Sequence, residues 1–356
     1  MPLSVGIVGF PNVGKSTLFR TITKKQVECA NYAFCTIDPN IGFVSVPDER
    51  IEEISKVVPT KKKTYSTIEF IDIAGLVEGS SQGKGLGNRF LSHIRETNLV
   101  VYVLRAFQDD QVMSTREKID PLEEADLLET ELILKDLEVI EKRIVFLEKD
   151  VRAKKKEAIF ELETLEKAKL LLEKGEILVQ GNFVEKEDEI ISNYCFLTYK
   201  PRIYLLNGKE NEVSKELKDL LKRKNRNFLV INIKEEEDFF DSSKKERINI
   251  GISESSKIEK LIKESYRLLN LITFFTAGPE ETRAWKIKKG AKAPVAGGII
   301  HTDFEKGFIK ADVINWQDLV RVGGFPEARK KGLIRTEGKD YVICDGDVIE
   351  IKFKKN

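Results

Sequence analysis

One stretch near the N-terminus constrains the fold more than any other part of the chain. It is Gly9-Phe10-Pro11-Asn12-Val13-Gly14-Lys15-Ser16, which fits the pattern G-x-x-x-x-G-K-[ST] in full. Residues 3–8 before it alternate small and β-branched types and predict a buried strand, and the amphipathic TLFRTITK after it predicts a helix. Glycines in such a loop let backbone N–H groups turn inward around phosphates, beside a helix N-terminus whose dipole favours anions. The order strand, loop, helix therefore predicts an α/β nucleotide-binding domain.

The chemistry of a phosphate loop assigns roles to its residues. Lys15 would reach the β- and γ-phosphates, and the Ser16 hydroxyl would ligate Mg²⁺. We expect the nucleotide to contact the second half of the loop and the start of the helix, at Asn12, Val13, Gly14, Lys15, Ser16 and Thr17.

A second strand, STIEFIDIAG, ends on Asp72, with Gly75 three residues later. A D-x-x-G after a strand gains specificity when a phosphate loop precedes it. Asp72 would hold the magnesium through water, and the Gly75 amide would sense the γ-phosphate. Thr36, in the segment between the two motifs, is the candidate that completes the magnesium shell. Lys15, Thr36 and Gly75 are thus the predicted catalytic residues, and the glycine-rich segment 75–87 predicts a part that rearranges.

Four segments together resemble one known family, namely GFPNVGKST, DIAGLVEGSSQGKGLGNRFLSHIRE, NGKE and HTDFEKGFI. They are similar to the YchF-type, or Obg-like, ATPases, from the translation-factor-related branch of P-loop NTPases. The resemblance spans nearly the whole chain. It implies a Ras-like nucleotide-binding domain, an inserted helical hairpin and a C-terminal ubiquitin-like TGS domain. It also implies ATP hydrolysis in preference to GTP, with ribosomes or rRNA as partner, while the scattered cysteines are those expected of a reduced cytoplasmic protein.

The sequence Asn207-Gly208-Lys209-Glu210 follows an apolar strand, where a guanine-binding relative would have Asn-Lys-x-Asp. An Asp there accepts hydrogen bonds from guanine N1–H and the 2-amino group, whereas adenine N1 is itself an acceptor. Glu210 is one methylene longer and displaces its carboxylate from that edge, and a site with unmatched polar groups rejects a ligand. Asn207 would serve the purine N7 or tie the loop to the phosphate loop. We therefore predict ATP as substrate, read by backbone groups near Asn207, Gly208 and Glu210, with GTP bound less well.

No residue assignment is made for the loop after residue 232, because NIK departs from the S-A-K of related GTPases. The identity of the residue that activates the attacking water is also left open. Leu76 follows Gly75 where Ras-like enzymes have a glutamine, and a leucine cannot orient the attacking water. Some family members carry a catalytic histidine at the position of Ser114, and His93 is interpreted as a helix-surface or packing residue. Asn12 is the candidate ligand for K⁺, which would act as a fixed positive charge near the phosphates.

From residue 121 the pattern changes to a long charged helix. Apolar residues recur at alternating spacings of four and three, at Ile133, Leu137, Ile140, Ile144, Leu147 and Val151. A weaker seam returns at Leu162, Leu165 and Leu172, so we predict an antiparallel hairpin with its tip near residues 152–157. The basic tip VRAKKK is a candidate contact for rRNA phosphates, although most charged runs are solvated surface.

The chain is accordingly divided into three domains. The P-loop nucleotide-binding domain comprises residues 1–120 and 196–272, the helical coiled-coil insertion 121–195, and the TGS domain 273–356. Short β-patterned runs in the last part, RAWKIK, GGIIHTDF and YVICDGDVIEIKF, predict the strands of a small β-grasp module.

Composition argues against several classes of protein. The 60 basic and 59 acidic residues give a net charge of +1, so any nucleic-acid binding must use a local patch. There is no apolar run of ~18 residues, so we expect no membrane span, and no secretory signal is recognised. Four scattered cysteines and two histidines argue against disulfides and zinc. We expect a monomer. Two alternatives stay open, an Obg-type GTPase and a nucleotide-gated RNA or ribosome adaptor with incidental turnover.

Overall fold

The computed structural model describes residues 3–24, 40–73, 87–107 and 120–354. The described part of the chain divides into two compact units. The first unit comprises residues 3–24, 40–42, 69–73, 87–107 and 120–258, and the second comprises residues 43–68 and 259–354.

The secondary structure alternates between strands and helices over most of the chain. The strands are β1 (Ser4–Val8), β2 (Ile41–Ser45), β3 (Lys62–Thr64), β4 (Thr67–Asp72), β5 (Leu99–Arg105), β6 (Arg202–Asn207), β7 (Phe228–Ile231), β8 (Leu271–Ala277), β9 (Glu281–Lys288), β10 (Phe308–Asn315), β11 (Arg335–Glu337) and β12 (Asp347–Phe353). The α-helices are α1 (Lys15–Thr23), α2 (Arg50–Val57), α3 (Asn88–Glu96), α4 (Pro121–Arg152), α5 (Lys156–Glu173), α6 (Glu185–Asn193), α7 (Lys215–Arg223), α8 (Ile233–Asp238), α9 (Lys244–Asn249), α10 (Lys257–Leu268), α11 (Ala293–Ile300), α12 (Thr302–Lys306), α13 (Trp316–Val322) and α14 (Phe325–Lys330).

A six-stranded sheet in the order β2-β4-β1-β5-β6-β7 organises the first unit. Strands β4, β1, β5, β6 and β7 pair in parallel, and β1, β5 and β6 are buried along their whole length. Their near-continuous apolar sequences fit strands that are covered on both faces. This is the α/β architecture that the sequence predicts.

The parallel register brings the predicted site residues to one edge of this sheet. The phosphate loop follows the carboxyl end of β1, Asp72 is the last residue of β4, and Asn207 is the last residue of β6. Ile7 is opposite Asp72 in the ladder. In open α/β sheets ligands bind beyond the carboxyl ends of the strands, so the site lies where the fold class expects it.

Helices α4 and α5 are joined by three residues, 153–155, and pack along each other. The ion pairs Arg143–Glu161, at 2.8 Å, and Lys169–Glu141, at 3.2 Å, show that the two helices run in opposite directions. All residues of the predicted seam belong to the hydrophobic cluster between them or pack against it, namely Ile133, Leu137, Ile140, Ile144, Leu147, Val151, Leu162, Leu165 and Leu172. The turn between the helices coincides with the predicted tip.

The second unit contains a sheet in the order β11-β10-β12-β8-β9-β3. Strands β8 and β9 form an antiparallel hairpin, α11 follows it, and β12 lies parallel to β8 and antiparallel to β10. A hairpin, a helix and a last strand beside the first are the order expected of a β-grasp module.

Residues 43–68 belong to this second unit, whereas the sequence-based division assigns them to the nucleotide-binding domain. The physical reason is packing: Ile51 and Ile54 of α2 share a buried cluster with Phe275, and β3 pairs in parallel with β9. The C-terminal part of the second unit begins at Glu259 rather than at residue 273, and α4 and α5 group with the first unit. This grouping into two compact units differs from the predicted division into three domains, which stays a prediction.

The run GGIIHTDF is not a strand, as its β-branched residues suggested. It forms the end of α11 and most of α12, with His301 between them accepting a hydrogen bond at Nδ1 from the Asp303 N–H, at 3.2 Å. Pro294 in the first turn favours a helix start, and a side chain at Gly297 would crowd the Phe304 backbone. Close helix packing decided the structure here rather than β propensity.

Candidate nucleotide site

The phosphate loop depends on two glycines in strained backbone regions. Gly9 has a φ of 154°, and a Cβ there would lie 2.4 Å from the Val103 carbonyl oxygen. Gly14 has a φ of 103°, and its Cβ would lie 2.6 Å from Asn207 Nδ2. Asn12 has a φ of 60°, a left-handed conformation that asparagine tolerates. Helix α1 begins directly after this loop, at Lys15, so its first N–H groups face the loop.

Lys15 lies across the loop that precedes it. Its Nζ donates to the Phe10 carbonyl oxygen at 2.7 Å, and the side chain is buried. Burial lowers the pKa of Lys15, and the nearby carboxylates of Asp72 and Glu124 oppose that shift. A buried ammonium beside a turn of backbone N–H groups is a cation ready to bind phosphate oxygens.

Asp72 and Ser16 provide oxygens suited to a magnesium ion. Ser16 Oγ donates to Asp72 Oδ2 at 3.2 Å, while Asp72 Oδ1 is buried and has no hydrogen-bond partner within the described structure. A buried oxygen without a partner costs about 1–3 kcal/mol, so its retention indicates a ligand. Burial raises the pKa of Asp72, and Ser16 and Lys15 counteract this. A carboxylate and a hydroxyl beside a phosphate loop fit Mg²⁺.

Some predicted residues lie outside the described part of the chain. They are Thr36, Gly75, Leu76 and Ser114. Their roles stay predictions. His93 is described, and it lies exposed on α3, in agreement with its interpretation as a helix-surface residue.

Asn207 joins three loops of the site. Its Nδ2 donates to the Val13 carbonyl oxygen at 2.8 Å, and its Oδ1 accepts from the Ile233 N–H at 3.1 Å. The side chain is buried. Of the two roles considered for this residue, the structure displays the second, a tie between the base loop and the phosphate loop.

Gly208 is held close to a neighbouring strand end. Its N–H donates to the Ile231 carbonyl at 3.1 Å, and a Cβ would lie 3.1 Å from the Ala106 carbonyl carbon. The next N–H, of Lys209, donates to Glu212 Oε2 at 2.6 Å. Two backbone donors of the NGKE turn are therefore already engaged. Three carbonyl oxygens of the turn are engaged as well, since those of Asn207, Lys209 and Glu210 accept from the Ala106 N–H, the Glu212 N–H and Lys218 Nζ.

Glu210 carries an exposed side chain with both carboxylate oxygens near lysines. Lys218 Nζ lies 2.6 Å from Oε1, and Lys257 Nζ lies 3.7 Å from Oε2. The hydrogen bond from Lys218 holds the pKa of Glu210 below its usual value. The structure thus brings Glu210 to the same turn as Asn207, with its charge compensated.

Two residues of the site were missed from the sequence. Ile233, after β7, is buried, and its backbone N–H holds Asn207. The spacing of Asn232 and Glu235 predicts a helix start at this loop, and Asn232 Oδ1 does accept from the Glu235 N–H. Glu124 of α4 is buried close enough to Lys15 to influence its charge, although its position in the insertion gave no sign of this.

A phosphate loop, a magnesium-type carboxylate and a base-side asparagine at one edge of a parallel sheet define a P-loop nucleotide-binding protein. A family model described as "50S ribosome-binding GTPase" matches residues 4–149, and the model of the YchF GTPase C-terminal domain, described as a protein of unknown function, matches residues 271–354. The chain belongs to the YchF family.

The family assignment rests on relatives that match along the whole chain. The "Ribosome-binding ATPase YchF" of Bacillus subtilis is 44% identical over 99% of this chain and 100% of its own length. The protein of the same name from Haemophilus influenzae is 41% identical, with 99% of each chain covered. A solved structure, titled as the Schizosaccharomyces pombe YchF GTPase, is 36% identical and covers 98% of this chain and 97% of its own, with a TM-score of 0.87. Among the described helices, none has the length and apolar character to cross a membrane.

Proposed function

We propose that this protein is a slow, regulated ATPase that binds ribosomes in the cytoplasm and uses Mg²⁺. The observation that carries the proposal is the buried Asp72 Oδ1, which has no hydrogen-bond partner among the described residues, beside the Ser16 hydroxyl and at the edge where Lys15 begins α1. Relatives identical at 40–44% are named ribosome-binding ATPases, and the proposal extends that name to this chain.

Each residue of the phosphate end has a proposed task. Lys15 leaves the Phe10 carbonyl and binds phosphate oxygens, and the N–H groups of residues 13–17 position the phosphates for attack. Ser16 and Thr36 would hold Mg²⁺ directly and Asp72 would hold it through water, while the Gly75 amide would contact the γ-phosphate. The metal, when bound, neutralises charge that develops on the transferred phosphoryl group.

The proposed preference for ATP follows from the polar groups at the base loop. Guanine needs an anionic acceptor for N1–H and the 2-amino group, and the candidate acceptor, Glu210, is paired with Lys218 and Lys257. Adenine needs no such acceptor. Names of the relatives differ on this point, because the bacterial proteins are called ATPases and the S. pombe structure a GTPase.

Slow turnover follows from Leu76, which cannot orient water as a glutamine does. We propose that K⁺ held by Asn12 supplies part of the missing positive charge near the phosphates. Asn12 belongs to the phosphate loop and is exposed, with a left-handed backbone φ of 60°, which supports the proposal.

The proposed ribosome contact includes the exposed, basic turn between α4 and α5, residues 152–157. Local positive charge of this kind binds phosphates with a strong salt dependence. The overall charge of +1 gives no such attraction.

The test combines competition binding with turnover. ATP is expected to displace a fluorescent adenine nucleotide at lower concentration than GTP, and hydrolysis is expected to rise with potassium over sodium and with added ribosomes. Lys15→Ala is the control that removes turnover. GTP binding at least about tenfold tighter than ATP would support the Obg-type GTPase instead, since that is a clear free-energy difference. Cellular function that survives Lys15→Ala would support the adaptor alternative.

A further inference from the structure

The side chain of Glu210 is fixed by a lysine on the following helix. Lys218 Nζ contacts both the Glu210 carboxylate, at 2.6 Å, and the Glu210 backbone carbonyl oxygen, at 3.2 Å. Lys218 is only 21% exposed in its side chain, while Glu210 is 64% exposed. One lysine therefore positions both the charge and the backbone of the last residue of the NGKE turn.

The helix that carries Lys218 has a well-defined start. Ser214 caps α7 by accepting from the Leu217 N–H at 3.1 Å, and Glu212 closes the preceding turn by accepting from the Lys209 N–H. Lys218 is the fourth residue of α7, so the capped helix start sets the position of its backbone, and its two contacts to Glu210 hold the ammonium.

The second cation completes the pairing. Lys257 Nζ lies 3.7 Å from the other carboxylate oxygen of Glu210. Guanine would need both oxygens of a carboxylate, one for N1–H and one for the 2-amino group. With one oxygen hydrogen-bonded to an ammonium and the other 3.7 Å from a second, a forked contact to guanine must compete with both cations for the carboxylate.

We propose that Lys218, supported by Lys257, is a specificity-determining residue that keeps the Glu210 carboxylate from serving guanine. The inference rests on the proposed nucleotide function and deepens it. Lys218 acts through Glu210 and touches no part of the reaction, so it is a positioning residue. Its substitution is expected to change the relative affinity for ATP and GTP rather than the rate of turnover.

The test measures dissociation constants for ATP and GTP, each with magnesium, by isothermal titration calorimetry. Lys218→Met is expected to lower the ratio of the GTP constant to the ATP constant by roughly fivefold, because an exposed ion pair is lost. Lys218→Met combined with Lys257→Met should lower it about tenfold, equivalent to about 1.4 kcal/mol. Lys218→Arg retains the ion pair and should keep the ratio within about twofold of the wild-type value.

The matched control is Lys222→Met. Lys222 lies on the same helix, is 69% exposed and pairs with Asp219 rather than with Glu210, so the same charge is lost without freeing the carboxylate. In the Lys218→Met background, Glu210→Gln should restore the wild-type ratio because the anionic acceptor is gone. Thermal unfolding of every variant monitors folding, and the ratio is internally corrected because both ligands bind the same preparation.

Three results would overturn the inference. In the first, Lys218→Met leaves the ratio of the GTP to the ATP dissociation constant unchanged. In the second, Lys222→Met changes that ratio as much as Lys218→Met does. In the third, the tighter GTP binding of Lys218→Met persists when Glu210→Gln is added. Wild-type protein that binds no ATP would overturn the proposed function and this inference with it. Tight ATP binding with an unchanged ratio would overturn this inference alone.

Discussion

Asn207→Ala tests how the base loop is coupled to the phosphate loop. The substitution removes the hydrogen bond to the Val13 carbonyl, at 2.8 Å, and the one from the Ile233 N–H, at 3.1 Å. Both partner residues are buried, so a donor and an acceptor lose their partners in the interior. An unsatisfied buried group costs about 1–3 kcal/mol, so two such groups predict a total loss of roughly 2–6 kcal/mol in the nucleotide-free protein.

The assay is amide hydrogen exchange combined with chemical unfolding. Exchange of the Ile233 amide should accelerate by at least about thirtyfold, which corresponds to roughly 2 kcal/mol of lost local stability. ATP affinity should fall as well, because the phosphate loop loses its tie. Asn182→Ala is the control, since Asn182 is exposed and its substitution should change stability by less than about 0.5 kcal/mol. If Ile233 exchanges equally fast in the wild type and in Asn207→Ala, the proposed coupling is wrong.

Three further predictions concern packing and charge. Arg247→Met should cost about 3–5 kcal/mol, measured by urea unfolding, because it leaves the buried Glu236 carboxylate, now 2.7 Å from Arg247, without its cation; a cost below about 1 kcal/mol would contradict this. Ile140→Ala, in the buried seam between α4 and α5, should cost about 2–5 kcal/mol in the same assay, and Leu170→Ala on the exposed face should cost far less. Burial lowers the pKa of Lys15 below its usual value, and the neutral amine no longer attracts phosphate, so ATP affinity should fall as the pH rises through that lowered pKa. Calorimetry across the alkaline range should show this fall, and an affinity that does not change with pH would refute it.

The local sequence predicts the phosphate end of the candidate site from one short motif. The motif fixes residue types by backbone geometry, and Gly9 and Gly14 have the left-handed conformations that the motif requires. Asp72 was predicted from the D-x-x-G pattern at a strand end after a phosphate loop, and the parallel register of β1 and β4 brings it to the same sheet edge as that loop. Such motifs are short, and the backbone geometry that requires their residue types is set by the same few residues.

Features that depend on distant packing were not predictable from one sequence. The grouping of residues 43–68 with the second unit depends on β3 pairing with β9, more than 200 residues away. The pairing of Glu210 with Lys218 and Lys257 also needs the three-dimensional positions of two helices. The sequence shows that Glu210 is one methylene longer than an aspartate. The structure adds that two lysines compensate its charge.

The GGIIHTDF run shows the limit of β propensity as evidence. Its isoleucines suggested a strand, whereas the segment is helical because Gly297 allows α11 to approach the Phe304 backbone closely. Tertiary packing overrides a weak local preference of this type.

The most direct test of the central claim is the effect of magnesium on ATP binding to the wild type and to Asp72→Asn. Asp72 is the carboxylate whose buried Oδ1 lacks a hydrogen-bond partner in the part of the chain that the structure describes, next to the Ser16 hydroxyl. Calorimetry with ATP, in the presence of either magnesium or a chelator, should show tighter binding with magnesium in the wild type and a much smaller magnesium effect in Asp72→Asn. An equal magnesium effect in both proteins would contradict the assignment of this site.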